Sequence, residues 1–213
     1  MNTGLVTDEW IVSYASGGLN EGHALLVASQ AALRPEVRQK INEAEALGGA
    51  FLETGASVPV SDTLLDEILA RLPETEDGVE EPHYRNPSLP APLADYLGCG
   101  LDDLKWRFMG PGLQNVRLWT GPNDERLWLL RARGGITIPE HGHRGNEMTL
   151  VLQGSYHCGG QQYVAGDMDL ADGDDVHQPM IDPGEECICL VLTEASLRFN
   201  SFLVRLVQPL IGL

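Results

Sequence analysis

The sequence predicts an α+β protein in two parts, a small N-terminal helical domain and a C-terminal all-β domain. Three observations lead there. Apolar residues recur at helical spacing as far as Leu72 and not beyond it. A stretch rich in proline and acid then divides the chain. After it, short β-forming runs alternate with Gly, Asn and Asp turn signals. With 213 residues, 43% of them hydrophobic, the chain is long and apolar enough to bury a core of this kind.

Taken in order, Thr7 precedes an amphipathic turn through Trp10, Ile11 and Tyr14, and Gly17-Gly18 stops it. A second helix starts near Asn20 and carries Leu25, Leu26, Ala28 and Ala32. Pro35 suits the first turn of a third helix, residues 35–53, with Ile41, Ala44, Leu47 and Phe51 at helical spacing. Residues 56–60 form a loop, and Ser61 caps a fourth helix in which Leu64, Leu65, Ile68, Leu69 and Leu72 make one apolar stripe. That stripe is either intradomain core or a helix that docks in a partner's groove. The helical domain therefore covers 1–72. The linker is 73–91, where five acidic residues crowd together and four of five closely spaced prolines fall. The β domain covers 92–213, its runs including 115–119, 126–132, 135–138 and 148–152, a rhythm that suits a sandwich or a barrel.

Charge and hydropathy exclude several classes of function. Fourteen Lys and Arg stand against 31 Asp and Glu, a formal net charge of −17, so there is no electrostatic footprint for direct nucleic-acid binding. The longest apolar runs, 188–193 and 202–207, are far shorter than the roughly 20 residues of a membrane-spanning helix. Thr7, Asp8 and Glu9 stand where a secretory signal would place a basic segment and then an apolar one, so the expected location is cytoplasmic. Cys99, Cys158, Cys187 and Cys189 read as reduced, structural thiols.

The chemistry gathers between Gly135 and His177. His141 and His143 are two apart, so on a strand they share a face, and Glu147 keeps the same parity. His177 follows a turn-rich stretch through Gly166, Asp172 and Gly173, which lets a neighbouring strand present a fourth ligand. Imidazole and carboxylate donors suit a transition metal. We therefore expect one divalent metal per chain on His141, His143, Glu147 and His177, with zinc as first choice and iron, manganese or nickel as alternatives. His23, His83 and His157 read as ordinary helix, linker and strand residues.

These residues resemble the cupin superfamily. Gly135, five residues, His141-Gly142-His143, three residues, Glu147, six residues and Gly154 match its first motif at every spacing. The second motif is looser: Asp172 and Asp174 replace the turn residues common in the family, while His177 stays in place. The resemblance implies a small cupin β-barrel with the metal held inside by these four residues.

The order of parts, helices then acidic linker then cupin, resembles the ChrR-like anti-sigma factors. The segment from Val6-Thr7-Asp8 to Ser16-Gly17-Gly18-Leu19 is similar to the start of that family's anti-sigma domain, and Ala46-Leu47-Gly48-Gly49 to its third helix. The resemblance implies a transcription regulator that binds an extracytoplasmic-function sigma factor through the helices. Its cupin would sense oxidative stress or a small-molecule ligand at the metal. Where many zinc-binding anti-sigma domains carry His, Cys and Cys, this chain has Gln30, Arg34 and Val37, so packing must hold the helical domain together without a metal. The alternative is a metal-dependent, dioxygenase-like cupin enzyme whose helical domain forms a homodimer. The regulator is preferred because an enzyme needs neither the linker nor a separate helical domain.

Overall fold

The computed structural model describes residues 4–72 and 89–195, together with the backbone of a two-residue strand at Arg198–Phe199. Most of the expected linker, His83 and the apolar run at 202–207 lie outside the described residues. The helices are α1 (Asp8–Ala15), α2 (Glu21–Leu33), α3 (Pro35–Glu53), α4 (Leu64–Leu69) and α5 (Ala91–Leu97). Asn20 caps α2, its Oδ1 accepting from the His23 backbone N–H at 3.1 Å. Arg34 is extended, as the residue before a proline must be, so α2 ends there and α3 starts at Pro35. The third helix thus has the bounds expected of it. The fourth is shorter than its apolar stripe and starts beyond Ser61, with Thr63 at its N-cap. The fifth has no counterpart in the expected elements; it runs from Pro90 to a left-handed Gly98, across the boundary placed between linker and β domain.

The strands are β1 (Arg107–Gly110), β2 (Leu113–Thr120), β3 (Arg126–Ala132), β4 (His141–Gly142), β5 (Glu147–Gln153) and β6 (Ser155–Cys158). They continue as β7 (Gln161–Val164), β8 (Met168–Ala171), β9 (Val176–His177), β10 (Met180–Ile181), β11 (Cys187–Thr193) and β12 (Arg198–Phe199). One antiparallel sheet has the order β1-β2-β3-β11-β5-β8, and two small sheets, β10-β6-β7 and β12-β4-β9, complete the barrel. The expected run at 135–138 is not a strand; only Thr137 makes a bridge, to Met180.

Strand β11, at the middle of the large sheet, is apolar from Cys187 to Leu192 because both faces of the sheet are covered. On β11, Ile188, Leu190 and Leu192 join Leu127, Leu129, Met148 and Leu150 in a core shared with Ile11, Leu26, Val27, Val37, Ile41 and Leu93 of the helices. The alternate residues Cys187, Cys189 and Val191 face the barrel with Trp128, Leu130, Val151 and Tyr156. Helices α1, α2, α3 and α5 therefore pack on the outside of the sheet, and the barrel lies inside it. Contact is close at Gly22 of α2, where an added Cβ would sit 2.6 Å from the Trp119 ring and 3.3 Å from Leu192.

One part of the helical segment stays out of this core. No residue of α4 is buried. Leu65 is 66% exposed, and Leu64, Ile68, Leu69 and Leu72 are exposed with it, as are Leu47, Phe51 and Leu52 at the end of α3 and Val58 and Val60 in the loop. Among the described residues no helix is long and apolar enough to cross a membrane.

Candidate metal centre

The structure brings the four expected donors together, though not by the route their spacing suggests. His141 and His143 do not share a strand with Glu147. Strand β4 ends at Gly142, the chain turns through Arg144-Gly145-Asn146, and Glu147 opens β5. Tertiary pairing does the gathering instead: β4 pairs with β9 so that His141 stands opposite His177. The resulting cluster has one donor atom from each of His141, His143, Glu147 and His177, all within 4.8 Å of one another.

Its interior spacing is that of ligands around one point. His177 Nε2 lies 3.0 Å from His141 Nε2 and 3.1 Å from His143 Nε2. Nitrogens at about 2.05 Å from a common ion would stand about 2.9 Å apart at right angles and about 3.4 Å apart at tetrahedral angles. Glu147 closes the set, with Oε1 3.8 Å from His177 Nε2 and Oε2 3.6 Å from His143 Nδ1. The Pro139 carbonyl accepts from His141 Nδ1 at 2.9 Å, which fixes the tautomer and leaves the Nε2 lone pair facing inward.

The electrostatics agree with a cation site. Burial pulls His141 and His143 down to about 4 and lowers His177, so all three imidazoles are neutral at pH 7. Burial, with Asp169 nearby, pushes Glu147 up to about 8. Three neutral imidazoles thus meet at their Nε2 atoms, and the buried His143 Nδ1 has no hydrogen-bond partner. A divalent ion takes up the inward nitrogen lone pairs together with the Glu147 carboxylate, so these residues fit a metal.

Sequence reasoning missed the cavity beside the cluster. A pocket open to solvent is walled by Met109, Leu113, Trp128, Leu130, Ile138 and Ile181, with His141, Glu147 and His177 at its polar side. Asp169 also lines it, accepting from the Tyr156 hydroxyl at 3.0 Å, and burial raises its pKa. No local motif marks Asp169 or Tyr156; only the pairing of β5 with β8 carries Asp169 inward, opposite Thr149. Cys158, Asp169 and His177 form a second close group, but burial lifts the Cys158 thiol to about 11 and so keeps it protonated. All four cysteines are free. His157 is held at the barrel surface by Asp182, 2.7 Å from its Nδ1, and stands apart from the cluster.

Gln30, Arg34 and Val37 have packing roles. Gln30, fully buried, accepts from the Val6 N–H at 2.9 Å and donates to the carbonyls of Gly4 at 2.8 Å and Gly166 at 3.1 Å. Arg34 pairs with Asp167, and Val37 lies in the shared core.

Comparison with known proteins covers almost the whole chain. Residues 96–196 match the family described as the ChrR cupin-like domain. The anti-sigma-E factor ChrR of Cereibacter sphaeroides is 41% identical over 204 residues, spanning 96% of this chain and 95% of that protein. In the crystal structure of Rhodobacter sphaeroides SigE in complex with the anti-sigma ChrR, the matching chain aligns with a TM-score of 0.77 at 38% identity. That alignment covers 89% of this chain and 97% of the other.

Proposed function

Since the chain belongs to the ChrR family of anti-sigma factors, we propose that it holds an extracytoplasmic-function sigma factor inactive through its helices and senses stress through a metal in its cupin barrel. The carrying observation is the exposed apolar surface of the helical segment. One face of α1 to α3 is spent on the sheet, yet the end of α3, the loop after it, α4 and Leu72 beyond it present ten large apolar side chains to solvent. A surface of that size on a chain of net charge −17 suits a docking partner with an apolar groove and a basic rim. The name of the curated relative and the partner in the solved complex support a sigma factor as that partner.

On this reading, residues 1–72 are the capture unit, 73–91 the linker and 92–213 the sensor. The sensor holds one divalent metal, zinc in first place, on His141, His143, Glu147 and His177. A set of three imidazoles and one carboxylate gives zinc a closed four-coordinate site, and the adjoining cavity leaves room for a small ligand or oxidant to approach. The location that follows is the cytoplasm, where sigma factors meet RNA polymerase.

The test is transcription in vitro. Adding the full chain to polymerase charged with an extracytoplasmic-function sigma factor of its source organism should abolish transcripts from that factor's promoter and leave housekeeping transcription intact. Unchanged transcription at excess protein would overturn the reading.

A further inference from the structure

The geometry points to Glu194 as the positioning residue through which helix α2 reads the metal loop, an inference that rests on the metal and capture roles proposed above. The two ligands His143 and Glu147 flank the turn Arg144-Gly145-Asn146, so any change in their separation must move that turn. Glu194, just past the end of β11, grips it twice. Its Oε2 accepts from the Asn146 N–H at 3.1 Å, and its own N–H donates to the Asn146 carbonyl at 3.0 Å. The fit leaves no slack, because a Cβ on Gly145 would meet Glu194 Cβ at 3.1 Å.

The other carboxylate oxygen faces the helices. Glu194 Oε1 lies 3.6 Å from Nε2 of the buried His23 on α2. That ring is fixed on two further sides. Asn20 Oδ1 accepts from its Nδ1 at 2.6 Å, and it stacks on Trp10 of α1 with centroids 5.0 Å apart and planes 8° from parallel. One carboxylate therefore bonds the ligand-bearing turn and lies against a side chain held by both α1 and α2, a contact that becomes an ion pair when His23 is protonated.

The far end of α2 is anchored to the same part of the barrel. Gln30 and Arg34 hold Gly166 and Asp167, which lead into β8, and β8 pairs with β5 so that Ala171 stands opposite Glu147. The attachments at His23 and Gln30 are seven residues apart, about 10 Å along the helix. With the Gln30 end fixed, a shift of the turn acts on α2 as on a lever, and α1 and α3 pack against that helix.

Hydrogen exchange on the full chain, loaded with Zn2+ and then treated with chelator, tests this. In the wild type, removing the metal should speed amide exchange across Glu21–Leu33 at least tenfold. In E194A, zinc content should stay near one per chain, but exchange in α2 should change less than twofold on chelation. E194Q keeps an acceptor for the Asn146 N–H and gains a donor toward His23 Nε2, so it should restore the wild-type response. A wild type that binds zinc but shows no response in α2 overturns the inference, as does an E194A protein with the full response or an E194Q protein without it. A wild type that binds no zinc fails earlier, on metal content, and takes the metal reading down with the inference.

Discussion

Loading the site with metal should expel a proton, and the number expelled at each pH follows from the burial of the four donors. Without metal, the carboxyl of Glu147 titrates at about 8, while His141 and His143 titrate at about 4 and His177 below its usual value. A coordinating carboxylate must be ionised, so zinc displaces whatever proton Glu147 still carries. From Glu147 that is about one proton per ion at pH 6, with less than one more from His177, and about half a proton at pH 8. The same four groups with ordinary values would behave in reverse: three imidazoles, each about three-quarters protonated, would release about two protons at pH 6 and almost none at pH 8. Affinity should accordingly rise a little less than tenfold per pH unit between 6 and 7 and level off above 9. Calorimetric titration of the chelator-stripped protein with Zn2+, in buffers of different ionisation enthalpy, counts the protons directly. Release of two or more at pH 6, or none at pH 8, would refute the assignment of a buried, neutral Glu147 among neutral histidines.

Replacing Gln30 by Leu strands the Val6 N–H and the Gly166 carbonyl in the interior, which should cost about 2–4 kcal/mol and lower the melting temperature by about 5–10 °C; differential scanning calorimetry checks this. Gly22→Val forces a methyl-bearing carbon against Trp119 and Leu192, and denaturant titration should show a loss of about 1–3 kcal/mol. In the metal-free protein, the lowered histidines withdraw stability as pH falls from 6.5 toward 4, whereas the raised Glu147 withdraws it as pH rises from 4.5 through about 8. Urea titration should therefore show a decline above pH 6.5 in the stripped wild type and none in the stripped E147Q variant.

What could be read from the sequence was what local chemistry decides. The start of α3 follows from one dipeptide, Arg34-Pro35, and β11 stands out because a strand covered on both faces needs apolar residues at nearly every position. The four donors were legible through their spacing in the chain, yet the reason first attached to them fails, since no single strand carries His141, His143 and Glu147. Their convergence comes from β4 pairing with β9, thirty-six residues away. Gln30 shows the same limit: its partners lie 24, 26 and 136 residues distant, and nothing near position 30 announces them. The Leu64–Leu72 stripe reads first as intradomain core, since most amphipathic helices bury their apolar face; the exposure of those side chains overturns that reading, which helical spacing alone could not do.

The claim at the centre of this account is that the exposed face of α3 and α4 captures a sigma factor. Isothermal calorimetry of the full, zinc-loaded chain with the extracytoplasmic-function sigma factor of its source organism measures that capture, alongside a variant in which Leu65 and Ile68 are both replaced by Asp. Both side chains are exposed, so the variant should fold as the wild type does. The account predicts a one-to-one complex of submicromolar Kd for the wild type and binding weakened about a hundredfold or more in the variant, as expected when two charges replace apolar anchors. No measurable heat with the folded wild type, or undiminished affinity in the double variant, would contradict it.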